Sequence, residues 1–225
     1  AFNPSVSDDG HFFTFFEGRP RVTIEHGEEG DLSHSVEHSY DTAKLKVVDR
    51  STNRDSMTLS PPQGWTWDAR ITPALTSRFL AVPVYKAINP GNWDRYMPRA
   101  IFDEDYRPAE GAIAVYDLEQ KILANIVPVK DGHRVRDVKI SEEYMVAVTK
   151  NGLESSLSAD ALIYDFRTQQ HHQFSDEISL RYRRQMDCSG CHVAFVRSEE
   201  VYDSVEKRTE HKDTLCVMDG RILRP

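Results

Sequence analysis

The sequence lacks the features that mark membrane-spanning and nucleic-acid-binding proteins. None of its apolar runs approaches the ~20 residues that a helix needs to cross a bilayer, and the first residues show no basic-then-apolar signal pattern. With 28 Lys and Arg against 36 Asp and Glu, the chain carries a net charge of −8 at pH 7. Because phosphate backbones and anionic lipids attract positive charge, we expect neither nucleic acid nor a membrane as the main partner.

Cysteine is scarce, and the usual marks of secretion are missing. The chain has three cysteines, which cannot all pair with one another, so no disulfide framework is predicted. The frame Asn3-Pro4-Ser5 carries the proline that forbids N-glycosylation. We therefore expect a cytoplasmic or nuclear compartment. The first residue is Ala1 and not Met, and we expect the chain to be a processed or excised piece of a longer protein.

Long stretches of helical periodicity are also absent. No amphipathic pattern with a 3.6-residue period extends beyond about ten residues, whereas short runs rich in Val, Ile, Phe and Tyr recur between polar turns. Hydrophobic residues make up 39% and charged residues 28% of the 225 positions, which is typical of a folded globular protein. The sequence predicts an all-β fold in a single domain spanning residues 1–225.

Four of the apolar runs end in the same way, on a single aspartate. These aspartates are Asp49, Asp117, Asp165 and Asp219, at spacings of 68, 48 and 54 residues. Before each of these runs, and separated from it by a connection, lies another apolar run that begins after a turn containing Ser or Thr. A further apolar run follows each aspartate-ended run. The pattern predicts a four-stranded unit: an a–b hairpin, a connection, strand c ending on Asp, a tight turn and strand d.

Four antiparallel strands repeated in this order resemble the blade of a WD-type β-propeller, whose repeats run about 40–50 residues. The blades are predicted at roughly residues 6–63, 68–130, 135–176 and 184–225. Val-Asp, Tyr-Asp or Met-Asp replaces the usual Trp-Asp, as in degenerate repeats that are similar to the propeller region of fungal F-box proteins. Since closed propellers carry about 4–8 blades, the resemblance implies an incomplete or small ring. A β-sandwich of similar strand count is the alternative.

The length variation among the repeats falls on one side of the predicted blades. The long segments are the b–c connections, at residues 18–42, 86–111, 150–160 and 198–213. In a blade these connections emerge on the same face as the d–a connections. Insertions gathered on one face of a repeat protein are typical of its binding surface, although long loops are also tolerated there without a function.

Six residues in these connections are predicted to form a shared binding surface: Trp93, Tyr96, Arg134, Arg136, Arg181 and Arg183. We expect them to be surface residues of loops. Aromatic side chains beside arginine are typical of protein interfaces, and guanidinium groups bind carboxylate or phosphate in bidentate fashion. The predicted function is a protein-interaction module that binds a protein or peptide partner with an anionic group, as a substrate-recognition part of a larger assembly. Each arginine could instead pair with an acid of the same chain.

An enzyme is the alternative function. A propeller hydrolase or lyase would use acids and a histidine near the axis, and the d–a connections offer His133 with Asp68, Asp131, Asp137 and Asp176. Their spacing does not single out a catalytic pair, and the motifs of phosphate-binding loops, serine hydrolases and zinc proteases are missing. We therefore predict no catalytic residue.

The motif Cys188-Ser189-Gly190-Cys191-His192 matches the pattern of covalent haem attachment, and a zinc site or redox pair is a related possibility. However, the motif aligns with the a–b hairpin of the other repeats, so we expect Cys188 and Cys191 to flank a turn as free, structural thiols. His26, His34 and His38 lie among acids in a segment that we expect to be solvated. Accordingly, no metal site and no cofactor are predicted.

Overall fold

The computed structural model describes residues 2–18, 21–26, 34–39, 44–50, 57–87, 109–151, 158–179, 186–203 and 207–223. Within these ranges the regular structure consists of β-strands, with one 3-10 helix at the end. The strands form four antiparallel sheets that follow one another along the chain, together with a separate two-stranded pair. The predicted all-β class is confirmed.

Sheets 1 and 2 contain the first half of the chain. Sheet 1 has the order β1 (Phe2–Val6), β2 (Phe12–Glu17), β5 (Lys44–Asp49) and β6 (Met57–Leu59), while β3 (Arg21–His26) and β4 (His34–Ser39) pair with each other. In sheet 2, β9 (Phe79–Ala87) pairs with β7 (Thr66–Trp67) and β8 (Ala74–Leu75) on one side and with β10 (Ala109–Asp117) on the other; β11 (Ile122–Pro128) follows.

Sheets 3 and 4 contain the second half. Sheet 3 has the order β12 (His133–Ile140), β13 (Tyr144–Asn151), β14 (Ser158–Asp165) and β15 (Gln170–Ser179). Sheet 4 has the order β16 (Met186–Ser189), β17 (His192–Asp203) and β18 (Arg208–Asp219), which is followed by the 3-10 helix Gly220–Leu223. Each sheet is thus built from strands in the order in which the sequence predicts strands a, b and c.

Successive sheets pack face to face through three apolar cores. Alternate residues of β9 serve two of them: Leu80 and Val82 face sheet 1, and Phe79 and Ala81 face sheet 3. The middle strands are therefore covered on both sides, which explains why they are continuous apolar runs. A two-layer β-sandwich would have a single core, so the layering argues against that alternative. The described residues do not form a closed ring of sheets.

The recurring aspartates occupy equivalent positions in the four sheets. Asp49, Asp117, Asp165 and Asp219 are the last residues of β5, β10, β14 and β18, the third strand of each sheet. This confirms the prediction that each ends a third strand. The first three are followed directly by a turn, and Asp219 is followed by the 3-10 helix.

One backbone hydrogen bond recurs beside each of these aspartates. The N–H of the next residue donates to the carbonyl oxygen of the residue directly before the second strand. The donor–acceptor pairs are Arg50–His11 at 2.8 Å, Leu118–Arg78 at 2.7 Å, Phe166–Glu143 at 3.0 Å and Gly220–Cys191 at 2.7 Å. We call this end of the sheets the turn edge, and the opposite end, where the second strands end and the third strands begin, the loop edge.

The turn edge also holds contacts between neighbouring sheets. Ser141 accepts a hydrogen bond from the Tyr144 N–H at 3.1 Å and donates one to the Gly190 carbonyl of sheet 4 at 2.8 Å. A Cβ placed on Gly220 would lie 2.7 Å from the Tyr144 ring. Since carbon atoms do not approach so closely, only glycine fits against the ring at this position.

Predicted loop positions are wrong in three parts of the chain. The first b–c connection, residues 18–42, contains the paired strands β3 and β4. Trp67 falls between the first two predicted blades, where the sequence predicts a d–a connection, but it belongs to β7 and to the core between sheets 1 and 2, where it is 3% exposed. Arg134 and Arg136 lie in β12 and not in a loop, because β12 begins directly at His133, which its register pairs with Asn151 at the end of β13.

Replacing Ser141 by Ala is expected to destabilise the fold by about 1–3 kcal/mol, because the change leaves a buried N–H without its acceptor. Urea denaturation followed by circular dichroism measures the effect. Ser77→Ala is the matched control: its hydroxyl makes an exposed hydrogen bond to Glu142 at the same turn of sheet 2, and its removal should change stability by no more than about 0.5 kcal/mol. Equal effects of the two changes would contradict the role of Ser141 in joining sheets 3 and 4.

Candidate functional site at the loop edge

Two cation–aromatic contacts lie at the loop edge of sheet 2, one on each face of the sheet. The Lys86 ammonium lies 4.2 Å from the centre of the Trp65 ring, and the Arg134 guanidinium carbon lies 5.3 Å from the centre of the Tyr85 ring. Both distances are within the range of favourable cation–π contacts. Trp65, Tyr85 and Lys86 are half-buried, whereas Arg134 is 7% exposed.

These contacts result from the alternation of side chains along β9. Tyr85 and Lys86 are consecutive, so their side chains point to opposite faces of sheet 2. Lys86 and Trp65 lie on the side of the core between sheets 1 and 2, and Tyr85 and Arg134 lie on the side of sheet 3. Each pair thus covers the loop edge of one core. Lys86 also forms an ion pair of 3.3 Å with Glu110, its register partner on β10.

A second polar cluster surrounds Asp160 at the loop edge of sheet 3. One carboxylate oxygen of Asp160 lies 3.4 Å from His133 Nδ1 and 3.8 Å from Lys130 Nζ, and it accepts a hydrogen bond from the Gln173 side chain at 2.9 Å. The side chains of His133 and Asp160 are 6% and 5% exposed. The cluster joins Lys130, in the connection between sheets 2 and 3, to three strands of sheet 3: β12, β14 and β15.

Gly111 allows sheets 2 and 3 to approach each other beside this cluster. A Cβ at Gly111 would lie 2.6 Å from the His133 carbonyl oxygen and 2.9 Å from a methyl group of Val129. The Gly111 carbonyl accepts a hydrogen bond from the Val129 N–H at 3.2 Å. The absence of a side chain at this position therefore brings the start of β12, with His133 and Arg134, against the end of β9.

The structure brings part of the predicted binding surface to the loop edge. Arg134 lies there but is buried, so the expectation that it is an exposed loop residue is wrong; Arg136 follows on β12 and is half-buried. Trp93, Tyr96, Arg181 and Arg183 lie outside the described residues. Tyr85 and Lys86 were not predicted from the sequence, although they lie at the end of an apolar run that predicts strand b, and this position could have indicated them.

Two acids of the enzyme alternative, Asp68 and Asp137, are engaged in separate contacts. Asp68 forms two hydrogen bonds with Arg70, at 2.9 and 3.1 Å. Asp137 forms an ion pair of 3.3 Å with Lys139, and Asp131 is exposed. Asp176 lies in β15. The buried His133–Asp160 pair, which the spacing of the predicted acids did not reveal, is the contact in this group that resembles catalytic machinery.

The cysteine motif lies at the turn edge of sheet 4. Cys188 is in β16, and Cys191 belongs to the turn before β17. All three cysteines of the chain are free. The Cys188 sulfur lies 3.8 Å from the Tyr144 carbonyl oxygen, and the Cys191 sulfur lies 3.6 Å from His192 Nδ1. Burial, with a smaller contribution from the charge of Asp187, raises the pKa of the Cys188 thiol to about 12.

The described ranges contain neither a cluster of metal ligands nor a membrane-spanning helix. No group of three or more His, Cys, Asp or Glu residues within them is arranged to hold a metal ion. In the same part of the chain, no helix has the length and apolarity needed to cross a membrane.

Comparison with known proteins identifies no family. No family model matches the chain, and no curated protein matches it, so the resemblance to WD-type propellers stays a prediction. Similar solved structures include a prolyl endopeptidase, with 11% sequence identity, a TM-score of 0.44 and 93% of this chain covered. Another is the tricorn protease, with 10% identity, a TM-score of 0.44 and 98% of this chain covered. The oligogalacturonate lyase of Vibrio parahaemolyticus is also similar, with 11% sequence identity and a TM-score of 0.31; the match covers 93% of this chain and 64% of the lyase. The chain spans about a quarter of the length of the two proteases, 27% and 23%.

Cys188 is expected to resist alkylation in the folded protein. A thiol with a pKa of about 12 holds on the order of one thousandth of the thiolate of an ordinary thiol at pH 8, and thiolate is the reactive form. Mass spectrometry after timed treatment with iodoacetamide measures each cysteine separately, with Cys216 as the internal comparison. In guanidinium chloride the three should react alike. Native labelling of Cys188 at the rate of Cys216 would contradict its burial.

Proposed function

We propose that the chain is an interaction module of the WD-type propeller kind, which binds a protein or peptide partner through the loop edge as the substrate-recognition part of a larger assembly. The observation that carries this proposal is that the Trp65–Lys86 and Tyr85–Arg134 contacts both lie at the loop edge of sheet 2, one on each face. Aromatic and arginine side chains are the residue types that are enriched in interface hot spots.

The chemistry of the loop edge favours a partner with an anionic group. Lys86 is held over Trp65 and beside Glu110, so its ammonium group has a fixed position before any partner arrives. Holding a long side chain in place reduces the conformational entropy that is lost on binding. A carboxylate or phosphate of the partner would replace Glu110 at Lys86 while an apolar group of the partner contacts Trp65.

The connectivity of the chain supports including further predicted residues in the proposed surface. Residues 88–108, which contain Trp93 and Tyr96, join Ala87 at the end of β9 to Ala109 at the start of β10. Both ends of this segment are therefore anchored beside Tyr85 and Lys86. This supports including Trp93 and Tyr96 in the proposed surface, together with Arg136. Arg181 and Arg183 stand in the connection between sheets 3 and 4, which starts from the loop edge of β15.

A selection experiment tests the proposal. A phage-displayed library of random peptides is selected on the immobilised chain, and the affinities of the enriched peptides are measured for the parent chain and its variants. We expect peptides with acidic and apolar residues. Trp65→Ala should weaken their binding by about 10-fold or more, as expected for a hot spot, and Lys86→Met should weaken it because the charge is removed while the stem is kept.

Lys139→Met is the matched control, since Lys139 lies on β12 near the turn edge, where it pairs with Asp137. It should leave binding unchanged, and thermal unfolding should show that all three variants are folded. Peptides that bind Trp65→Ala and Lys86→Met as tightly as the parent chain would refute binding at the loop edge.

A hydrolase or lyase is the second candidate, and the contact that favours it is the His133–Asp160 pair. A carboxylate beside one imidazole nitrogen orients the ring and stabilises its protonated form, as required of a general base. This candidate predicts turnover of chromogenic esters or glycosides that is lost in both His133→Gln and Asp160→Asn. Equal turnover in the folded variants and the parent chain would exclude a catalytic role for the pair.

A further inference from the structure

The outer face of sheet 1 is apolar, and no other sheet of the described residues packs against it. Thr14 and Phe16 of β2 are buried toward sheet 2, so Phe13 and Phe15 point the other way, where their rings stack 5.7 Å apart. The register places Val6 and Val48 beside Phe13, and Val6 is 56% exposed.

The outer face of sheet 4 has the same character. Met218 and Phe195 pack against the core shared with sheet 3, so the neighbouring positions of β17 and β18 face outward. Leu215 and Val217 are 69% and 62% exposed, and the register pairs them with Val196 and Ala194. The described part of sheet 4 also has three strands, whereas sheets 1 and 3 have four.

The charges around the two apolar faces are opposite in sign. On sheet 1, Lys44 and Lys46 share the outer face with Phe15, together with Glu17, which forms an ion pair of 3.6 Å with Lys46. On sheet 4, the outward positions next to the apolar residues include Asp187, opposite Ala194, and Asp213, which lies two residues before Leu215 and has a buried Oδ1. Asp219, two residues after Val217, shares this face and forms an ion pair with Arg221. One face thus carries a lysine pair and the other an aspartate pair.

We propose that the outer face of sheet 1 binds the outer face of sheet 4 in a second copy of this chain. In a two-fold symmetric dimer both junctions are identical, and each buries one Phe13–Phe15 face against one Leu215–Val217 face. The dimer would contain four principal sheets from each copy, eight in all, which is within the 4–8 blades of radial β-sheet proteins. The contact is built like the cores between successive sheets within one copy, with alternating apolar side chains from both sides.

The experiment exchanges the charges of one face at a time. Sedimentation velocity over a range of concentrations is run on the parent chain, on Lys44→Glu/Lys46→Glu and on Asp187→Lys/Asp213→Lys. The parent chain should form a discrete dimer. Each variant alone has like charges at both junctions, and its dissociation constant should rise about 10-fold or more.

Mixing the two variants provides the decisive result. In a mixed dimer, one junction joins the new glutamates to the new lysines and the other joins the original lysines to the original aspartates, so dimerisation should return to the parent affinity. Recovery on mixing also shows that both variants are folded. Glu119→Lys and Lys121→Glu, at the exposed turn after β10, are the matched controls and should leave dimerisation unchanged.

Three outcomes would overturn the proposal. If the parent chain is monomeric at every concentration, the two faces do not bind a second copy and belong to another occupant. If both charge variants still form the dimer, the dimer interface lies elsewhere. Open-ended polymers, which form when a head-to-tail contact does not close, would exclude the two-fold dimer. Binding of peptides at the loop edge does not depend on any of these results, since the loop edge and the outer faces are different surfaces.

Discussion

The register between the second and third strand of each sheet is the constraint on which the rest of the structure depends. A slip of one residue in an antiparallel pair moves every side chain to the opposite face, and in the middle sheets both faces belong to a core. The backbone hydrogen bond after each aspartate, as in Leu118–Arg78 and Phe166–Glu143, fixes this register at the turn edge. With the register fixed by that bond, the side chains of Leu80 and Ile113 can each point to only one face of sheet 2.

The loop edge is free to differ among the sheets because the register is already set at the other end. The connections that leave the loop edge can change in length and composition without moving the strands, at a small entropic cost. The structure shows the result in sheets 2 and 3: one edge carries the Trp65–Lys86 and Tyr85–Arg134 contacts, and the neighbouring edge carries the buried Asp160 cluster. A recurring arrangement at one end of the sheets thus supports different surfaces at the other end.

Local patterns predicted the strands well and the environment of individual side chains poorly. The four aspartates predicted the ends of four strands because a turn after strand c depends on neighbouring residues. The Asp165 carboxylate, for example, accepts hydrogen bonds from the N–H groups of Arg167 and Thr168. Arg134 was expected in an exposed loop, yet it is buried because β12 begins one residue earlier and Gly111 brings sheet 2 against it. That burial depends on the packing of two sheets against each other, and this packing cannot be predicted from the spacing of residues along the chain. The Asp160 cluster was missed for the same reason, since Lys130, Asp160 and Gln173 come from three separate segments.

The close fit between Gly220 and the Tyr144 ring has a consequence for how the protein opens. Tyr144 is fully buried at the start of β13, and the backbone after β18 lies directly against its ring. Peeling sheet 4 away would expose this ring and, at the same time, remove the acceptor of the Ser141 hydroxyl. Local opening of the last sheet is therefore coupled to sheet 3, and the two sheets should behave as one cooperative unit in native-state hydrogen exchange.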